Sequence, residues 1–158
     1  MVEGGGAEMG EGVVGGDGVG KVRLKGWTRT GRAIMAACAE TGPKPVTLEL
    51  GGKSPQIVFG DADLDKASAI VAKAITLNAG QVCVAGSRLL VHESVAEPVI
   101  DRIVRAFAAH RIGETWNGET TMGPIVSERQ LETIDGMVSR ALAAGAGAMA
   151  GGGRGGAP

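Results

Sequence analysis

The chain has 158 residues, a formal net charge of −1 and a sequence pI of about 6.1, the size of roughly one domain. A nearly neutral chain has no field to draw it to nucleic acid or an anionic membrane, and two Trp, two Phe and no Tyr leave little to stack bases on. No apolar run reaches the length of a bilayer span, and the N-terminal "MVEGGGAEMG" has neither the basic nor the apolar region of a signal peptide. Two cysteines, Cys38 and Cys83, make no disulfide framework, so we expect a cytoplasmic chain with reduced thiols.

Glycine is abundant, 28 residues, with nine in the first twenty and seven between Gly145 and Gly156. Two glycine-rich ends around a better-patterned middle read as loose ends, or as segments of a larger structure. Within the first of them, "GEGVVG" (10–15) matches the dinucleotide-binding glycine pattern letter for letter. No strand is read before it, so it is not taken as a fingerprint.

Residues 28–41 read as a helix with Ile34 and Cys38 on one face, stopped by Gly42-Pro43. Cys38 is therefore a core residue. "PVTLEL" (45–50) alternates, with Val46, Leu48 and Leu50 on one side and Thr47 and Glu49 on the other, and reads as a strand ended by Gly51-Gly52. "GGKS" (51–54) resembles the end of a phosphate loop. Thr47 stands where that motif needs its first glycine, and Pro55 where a helix should run on, so it is rejected.

"PQIVF" (55–59) is a second strand. A helix follows over about 63–78, with a stripe of Leu64, Ala67, Val71, Ala74 and Ile75 and Asp63 as its cap. "RLLVH" (88–92) is a strand, and Ser94 with Glu97 reads as a capping box opening a helix that points Val99, Ile100, Ile103, Val104 and Phe107 inward. After the loop "ETTMGPIV", Ser127 and Gln130 form another box before a stripe of Leu131, Ile134, Val138 and Ala141. The order helix, strand, strand, helix, strand, helix, helix argues for an α/β fold with a largely parallel sheet. His92 and His110 have no metal-ligand spacing and read as surface or strand-end residues.

Glu49 and Cys83 are left over. Glu49 closes a strand before two glycines, and Cys83 sits in a glycine-bracketed helix-to-strand loop. Strand ends are where α/β sites collect. A thiolate attacks a carbonyl, and a nearby carboxylate can activate the water that releases the acyl group. Spacing alone does not pair these two residues.

The flanking residues go further. "VTLELGGKSPQIVF" and "NAGQVCVAGSRLLV" resemble the glutamate and cysteine signatures of the NAD(P)-dependent aldehyde dehydrogenase superfamily, in the right order and separation. "TRTGRAIMAACA", "TTMGPIVSERQLETI" and, more loosely, "VEGGGAEMGEGV" are similar to the family segments around them. The resemblance implies that Cys83 adds to an aldehyde and that Glu49 activates water against the resulting thioester. The Cys83 backbone N–H would form part of an oxyanion hole. It implies NAD or NADP as cofactor, with Gly26 and Gly31 at the pyrophosphate and Leu50 near the nicotinamide. It implies that residues 1–50 end a Rossmann-like cofactor domain and 51–158 begin the catalytic domain. Other family segments, and with them part of the oxyanion hole and the ribose contacts, are expected to lie outside these residues. The expected partner is a small aldehyde, with no nucleic acid and no membrane, and the resemblance leaves the oligomeric state open, a homo-oligomer being one expectation for the full-length form. One departure stands out: Trp27 occupies the place of a small hydroxyl residue that follows the glycine in the family pattern.

Overall fold

A computed structural model describes residues 6–42 and 44–154, with side chains from residue 10 onward. The chain is α/β and divides into two compact units, Met1–Gly52 and Lys53–Pro158.

The first unit contains α1 (Gly6–Gly15), β1 (Val22–Gly26), α2 (Thr28–Glu40) and β2 (Val46–Leu50). β1 and β2 pair in parallel, Val22 opposite Val46 and Gly26 opposite Leu50. β1 is absent from the sequence expectation. Its Val-Arg-Leu-Lys alternation is period-two, and the burial follows it, Val22 and Leu24 half-buried and Arg23 and Lys25 exposed. α2 matches the expected helix, with Cys38 buried at 3% exposure. Gly31, also buried, lets α2 lie close on β2. A Cβ there would stand 3.1 Å from Leu50 Cδ2 and 3.3 Å from Leu48 Cδ1. Gly42 adopts φ +111 just past the helix, as its expected stop requires, while Pro43 lies outside the described residues. "GEGVVG" falls inside α1 rather than in a strand-to-helix turn, so the fingerprint reading fails in the structure too.

Lys44 ties this unit together. Its ammonium donates to the carbonyls of Val14 (2.7 Å) and Gly16 (2.8 Å) at the end of α1, and to Thr41 Oγ1 (3.3 Å). A cation on the last carbonyls of a helix satisfies orphan acceptors and opposes the negative end of the helix dipole.

The second unit contains β3 (Pro55–Val58), α3 (Leu64–Thr76), β4 (Arg88–Val91), α4 (Ala96–Ala108) and α5 (Glu128–Ala143). β3 and β4 pair in parallel, Pro55 opposite Arg88 and Val58 opposite Val91. The expected parallel pairing is thus met by two two-stranded sheets, one in each unit. Val58, Val71, Val99 and Ile103 make the buried core, with Leu64, Leu89 and Phe107 packed on it. Ile57, Phe59 and Leu90 are exposed. Asp63 caps α3 as expected, its carboxylate accepting from Lys66 N–H at 3.1 Å. Asp65 on α3 accepts from Arg102 Nε on α4 at 2.6 Å.

Two expectations are corrected. Ser94 and Glu97 form no capping box. α4 begins two residues later, at Ala96, behind a 3₁₀ turn (Glu93–Val95) that His92 caps by accepting from Ser94 N–H. The Ser94 hydroxyl is engaged instead with His92 Nδ1 at 2.9 Å. The α5 stripe is only half-buried, and Ala141 is exposed. The Ser127 cap itself is present, Oγ accepting from Gln130 N–H at 3.3 Å.

Candidate active site

In the first unit, parallel pairing brings Gly26, Glu49 and Leu50 together at the carboxyl ends of β1 and β2. This is the end of a parallel sheet where ligands collect. Glu49 is exposed and lies in register with Lys25, also exposed, on the neighbouring strand. α2 starts directly behind Gly26. Its cap residue, Trp27, has extended backbone (φ −92, ψ 149) but makes no side-chain cap hydrogen bond, and its indole is 61% exposed.

Gly31 is engaged otherwise. Its N–H donates to the Trp27 carbonyl at 2.9 Å inside the helix, so the amides that helix geometry leaves free are those of Thr28, Arg29 and Thr30. Free amides at a helix start are donors that suit an anion, and the helix start read from the sequence is the signal for them.

Along the same helix, Ala33, Ala36 and Ala37 leave room for a groove of about 1020 Å³ against α1. Its other walls include Val14, Leu24 and Ile34, with Arg29 and Thr30 as polar groups toward the start of α2, Glu40 and Thr41 at its far end and Glu11 on α1. Gly26, Gly31 and Leu50 do not line it. An apolar groove with a few polar groups, opening next to a helix N-terminus, suits a flat aromatic group carrying an anionic tail.

In the second unit, Cys83 is exposed while Cys38 of the first unit is buried. The thiol sits at the corner of a turn closed by Ala85 N–H to the Val82 carbonyl at 3.1 Å. The turn is fastened at both ends. Downstream, Gly86 N–H donates to the Ala74 carbonyl of α3 at 3.1 Å, and Gln56 Nε2 of β3 donates to the Gly86 carbonyl at 2.9 Å. Upstream, Gln81 Oε1 accepts from Val126 N–H at 2.8 Å. Small residues are needed here: Gly86 is buried against the Gln56 amide, with no space for a Cβ.

Among the described residues no group of three or more His, Cys, Asp or Glu side chains is placed to hold a metal ion. His92 stands at the end of β4 and His110 just past α4, where it meets Thr121 Oγ1 at 3.3 Å. No helix among the described residues is long and apolar enough to cross a membrane.

The comparisons with known proteins agree with one another. The family model "Aldehyde dehydrogenase family" matches residues 1–157. The fold is similar to that of an aldehyde dehydrogenase from Bacillus cereus solved with NAD+ (41% identity, TM-score 0.93, 96% of this chain and 31% of that one). It is similar to an NAD-dependent aldehyde dehydrogenase from Sinorhizobium meliloti (37%, TM-score 0.94, 99% of this chain and 31% of that one). It is also similar to betaine aldehyde dehydrogenase from Staphylococcus aureus, solved with NAD+ (34%, TM-score 0.93, 98% of this chain and 30% of that one). The chain therefore spans about a third of the length of the solved structures it matches. With residues 1–157 matched by the family model and its fold shared with these enzymes, the chain belongs to the aldehyde dehydrogenase family.

Proposed function

We propose that this chain carries the nucleophile and the base of an enzyme that oxidises an aldehyde to a carboxylic acid with NAD or NADP. Cys83 adds to the aldehyde carbon and holds the oxygen as a thiohemiacetal, with its own backbone N–H as one donor to that oxygen. NAD(P), when bound, supplies the acceptor for the hydride whose loss leaves a thioester on Cys83. Glu49 takes a proton from the water that attacks the thioester carbon; the C–S bond breaks, the acid leaves and the thiolate returns.

The groove between α1 and α2 fits the cofactor's aromatic end, and the amides of Thr28–Thr30 fit its phosphates. Gly26 and Leu50, at the strand ends, belong to the same cofactor surface in this reading, and Gly31 supports it by packing α2 on β2. Residues 1–50 then end the cofactor domain, with Glu49 reaching the chemistry from its last strand, and 51–158 begin the catalytic domain. The compartment proposed is the cytoplasm, and the complete enzyme is a homo-oligomer.

The observation that carries the reading is the contrast between the two thiols: Cys38 is packed in the core, and Cys83 is presented on a turn fastened on both sides. The test is peptide-resolved alkylation of both cysteines across pH, folded and in urea, with and without NAD. The expected result is a Cys83 rate that differs from its urea-unfolded value and responds to NAD, with Cys38 protected. Equal rates at both thiols and no effect of NAD would overturn it.

A second reading has its own support. Because the chain spans about a third of its solved relatives and exposes Ile57, Phe59 and Leu90, it can be a catalytically silent piece that acts only by association. Alkylation that ignores NAD, together with no NAD(P) reduction on an aldehyde panel, is its signature.

A further inference from the structure

α3 ends at Thr76, and the four residues after it do something uncommon. Asn78 (φ 51, ψ 38) and Ala79 (φ 53, ψ 34) are both left-handed, and Gly80 follows at φ +74. Glycine takes such angles freely and asparagine tolerates them, but alanine does so only against a steric penalty. A run of this kind persists only when its surroundings hold it.

One side chain does most of the holding. Gln81 Nε2 donates to the Asn78 carbonyl at 3.2 Å and to the Pro124 carbonyl at 3.3 Å. Its Oε1 accepts from Val126 N–H at 2.8 Å. In return, Asn78 Nδ2 donates to the Gln81 carbonyl at 3.3 Å. Both donors of the amide and one acceptor site are in use. The amide thus spans the left-handed run on one side and the 124–126 segment on the other, two residues ahead of Cys83.

We propose that Gln81 is the positioning residue for Cys83: its amide fixes the left-handed Asn78–Gly80 run to the 124–126 segment and thereby sets where the turn presents the thiol. The proposal rests on the reading of Cys83 as nucleophile. Gln81 itself touches no substrate in it and acts only through the turn. Loss of the amide leaves Ala79 free to relax toward right-handed backbone, and the turn moves with it.

Gln81→Met keeps the length of the side chain and removes every one of its hydrogen bonds. The measurement is the alkylation profile of Cys83 against pH in the 158-residue chain, relative to the same peptide in urea, with Cys38 and far-UV circular dichroism as controls. Gln81→Met is expected to move the Cys83 rate about fivefold, toward the urea value, with Cys38 still protected. Adding Ala79→Gly, which removes the backbone penalty, is expected to bring the profile part of the way back. A purely structural glutamine would not show that rescue, because Ala79→Gly restores none of its hydrogen bonds. A Cys83 profile unchanged by Gln81→Met, or a double variant no closer to wild type, overturns the inference while leaving Cys83 as nucleophile. A wild-type Cys83 that already reacts at its urea rate overturns both together. Exposure of Cys38 in Gln81→Met, with lost helical signal, marks a folding role and likewise overturns the positioning one.

Discussion

Gly86→Ala tests how the Cys83 turn is fastened to the sheet. A Cβ on Gly86 would lie 2.3 Å from Gln56 Nε2 and 2.5 Å from Gln56 Cδ, far inside van der Waals contact. Those atoms are the end of a flexible side chain, so the amide swings away and the steric cost itself is small. The larger cost is the hydrogen bond from Gln56 Nε2 to the Gly86 carbonyl, which breaks and leaves a carbonyl on a buried residue without its partner. An orphaned buried acceptor costs about 1–3 kcal/mol. Replacing glycine with alanine restricts the unfolded chain and returns roughly 0.4–1 kcal/mol. The net expectation is a loss of about 1–2 kcal/mol, which at a urea slope of about 1–3 kcal/mol per M lowers the unfolding midpoint by roughly 1 M. The assay is urea unfolding of four chains: wild type, Gly86→Ala, Gln56→Ala and the double variant. In the Gln56→Ala background nothing is left to displace, so adding Gly86→Ala should cost about 0 kcal/mol or stabilise slightly. An equal cost in both backgrounds would refute the reasoning, since the collision would then be with something other than Gln56.

Three further expectations use the same readout. Trp27→Ser places a hydroxyl at a cap position whose backbone is already extended, and should stabilise α2 by about 0.5–1 kcal/mol; an unchanged midpoint would mean that the indole contributes as much as the cap. Ser68, 3% exposed in α3, has a buried hydroxyl with no hydrogen-bond partner, so Ser68→Ala should raise stability by about 1 kcal/mol, and a lower midpoint would argue for an unseen partner. The Arg102 guanidinium, first by its hydrogen bond and then by its charge, holds the Asp65 carboxyl below its ordinary value. A carboxylate depressed in the folded state stabilises above its unfolded pKa and loses that contribution as pH falls through the folded one. The difference between wild type and Asp65→Asn should therefore be constant at neutral pH, begin to shrink as pH falls below about 3.9 and vanish below the depressed folded value; a difference that persists there would deny the ion pair a role.

The elements with strong local signals were legible in the sequence. α3 carries its stripe and its Asp63 cap in plain order, and β2 carries its alternation. Cys38 was legible as core because its helix neighbours four residues back are apolar. β1 was hidden by its setting, five residues directly after a glycine-rich stretch, although Val22 and Leu24 do alternate with charge. The Ser94 box failed because the capping pattern is blind to an intervening 3₁₀ turn. The α1–α2 groove and the role of Gln81 depend on residues 20 to 45 positions apart meeting in space, and no local pattern encodes that. Glu49 and Cys83 stood out only through their flanking residues, since neither acid nor thiol carries periodicity of its own.

The clip at Lys44 has a consequence for how the chain folds. α1 runs from Gly6 to Gly15 with Gly10 and Gly12 inside it, each of these two worth about 1 kcal/mol less than alanine in a helix interior, so ten residues of this kind have no reason to stay helical by themselves. Their last carbonyls are satisfied by an ammonium nearly thirty positions later. α1 therefore draws its stability from the fold of its own unit and forms together with the segment that carries Lys44, not ahead of it.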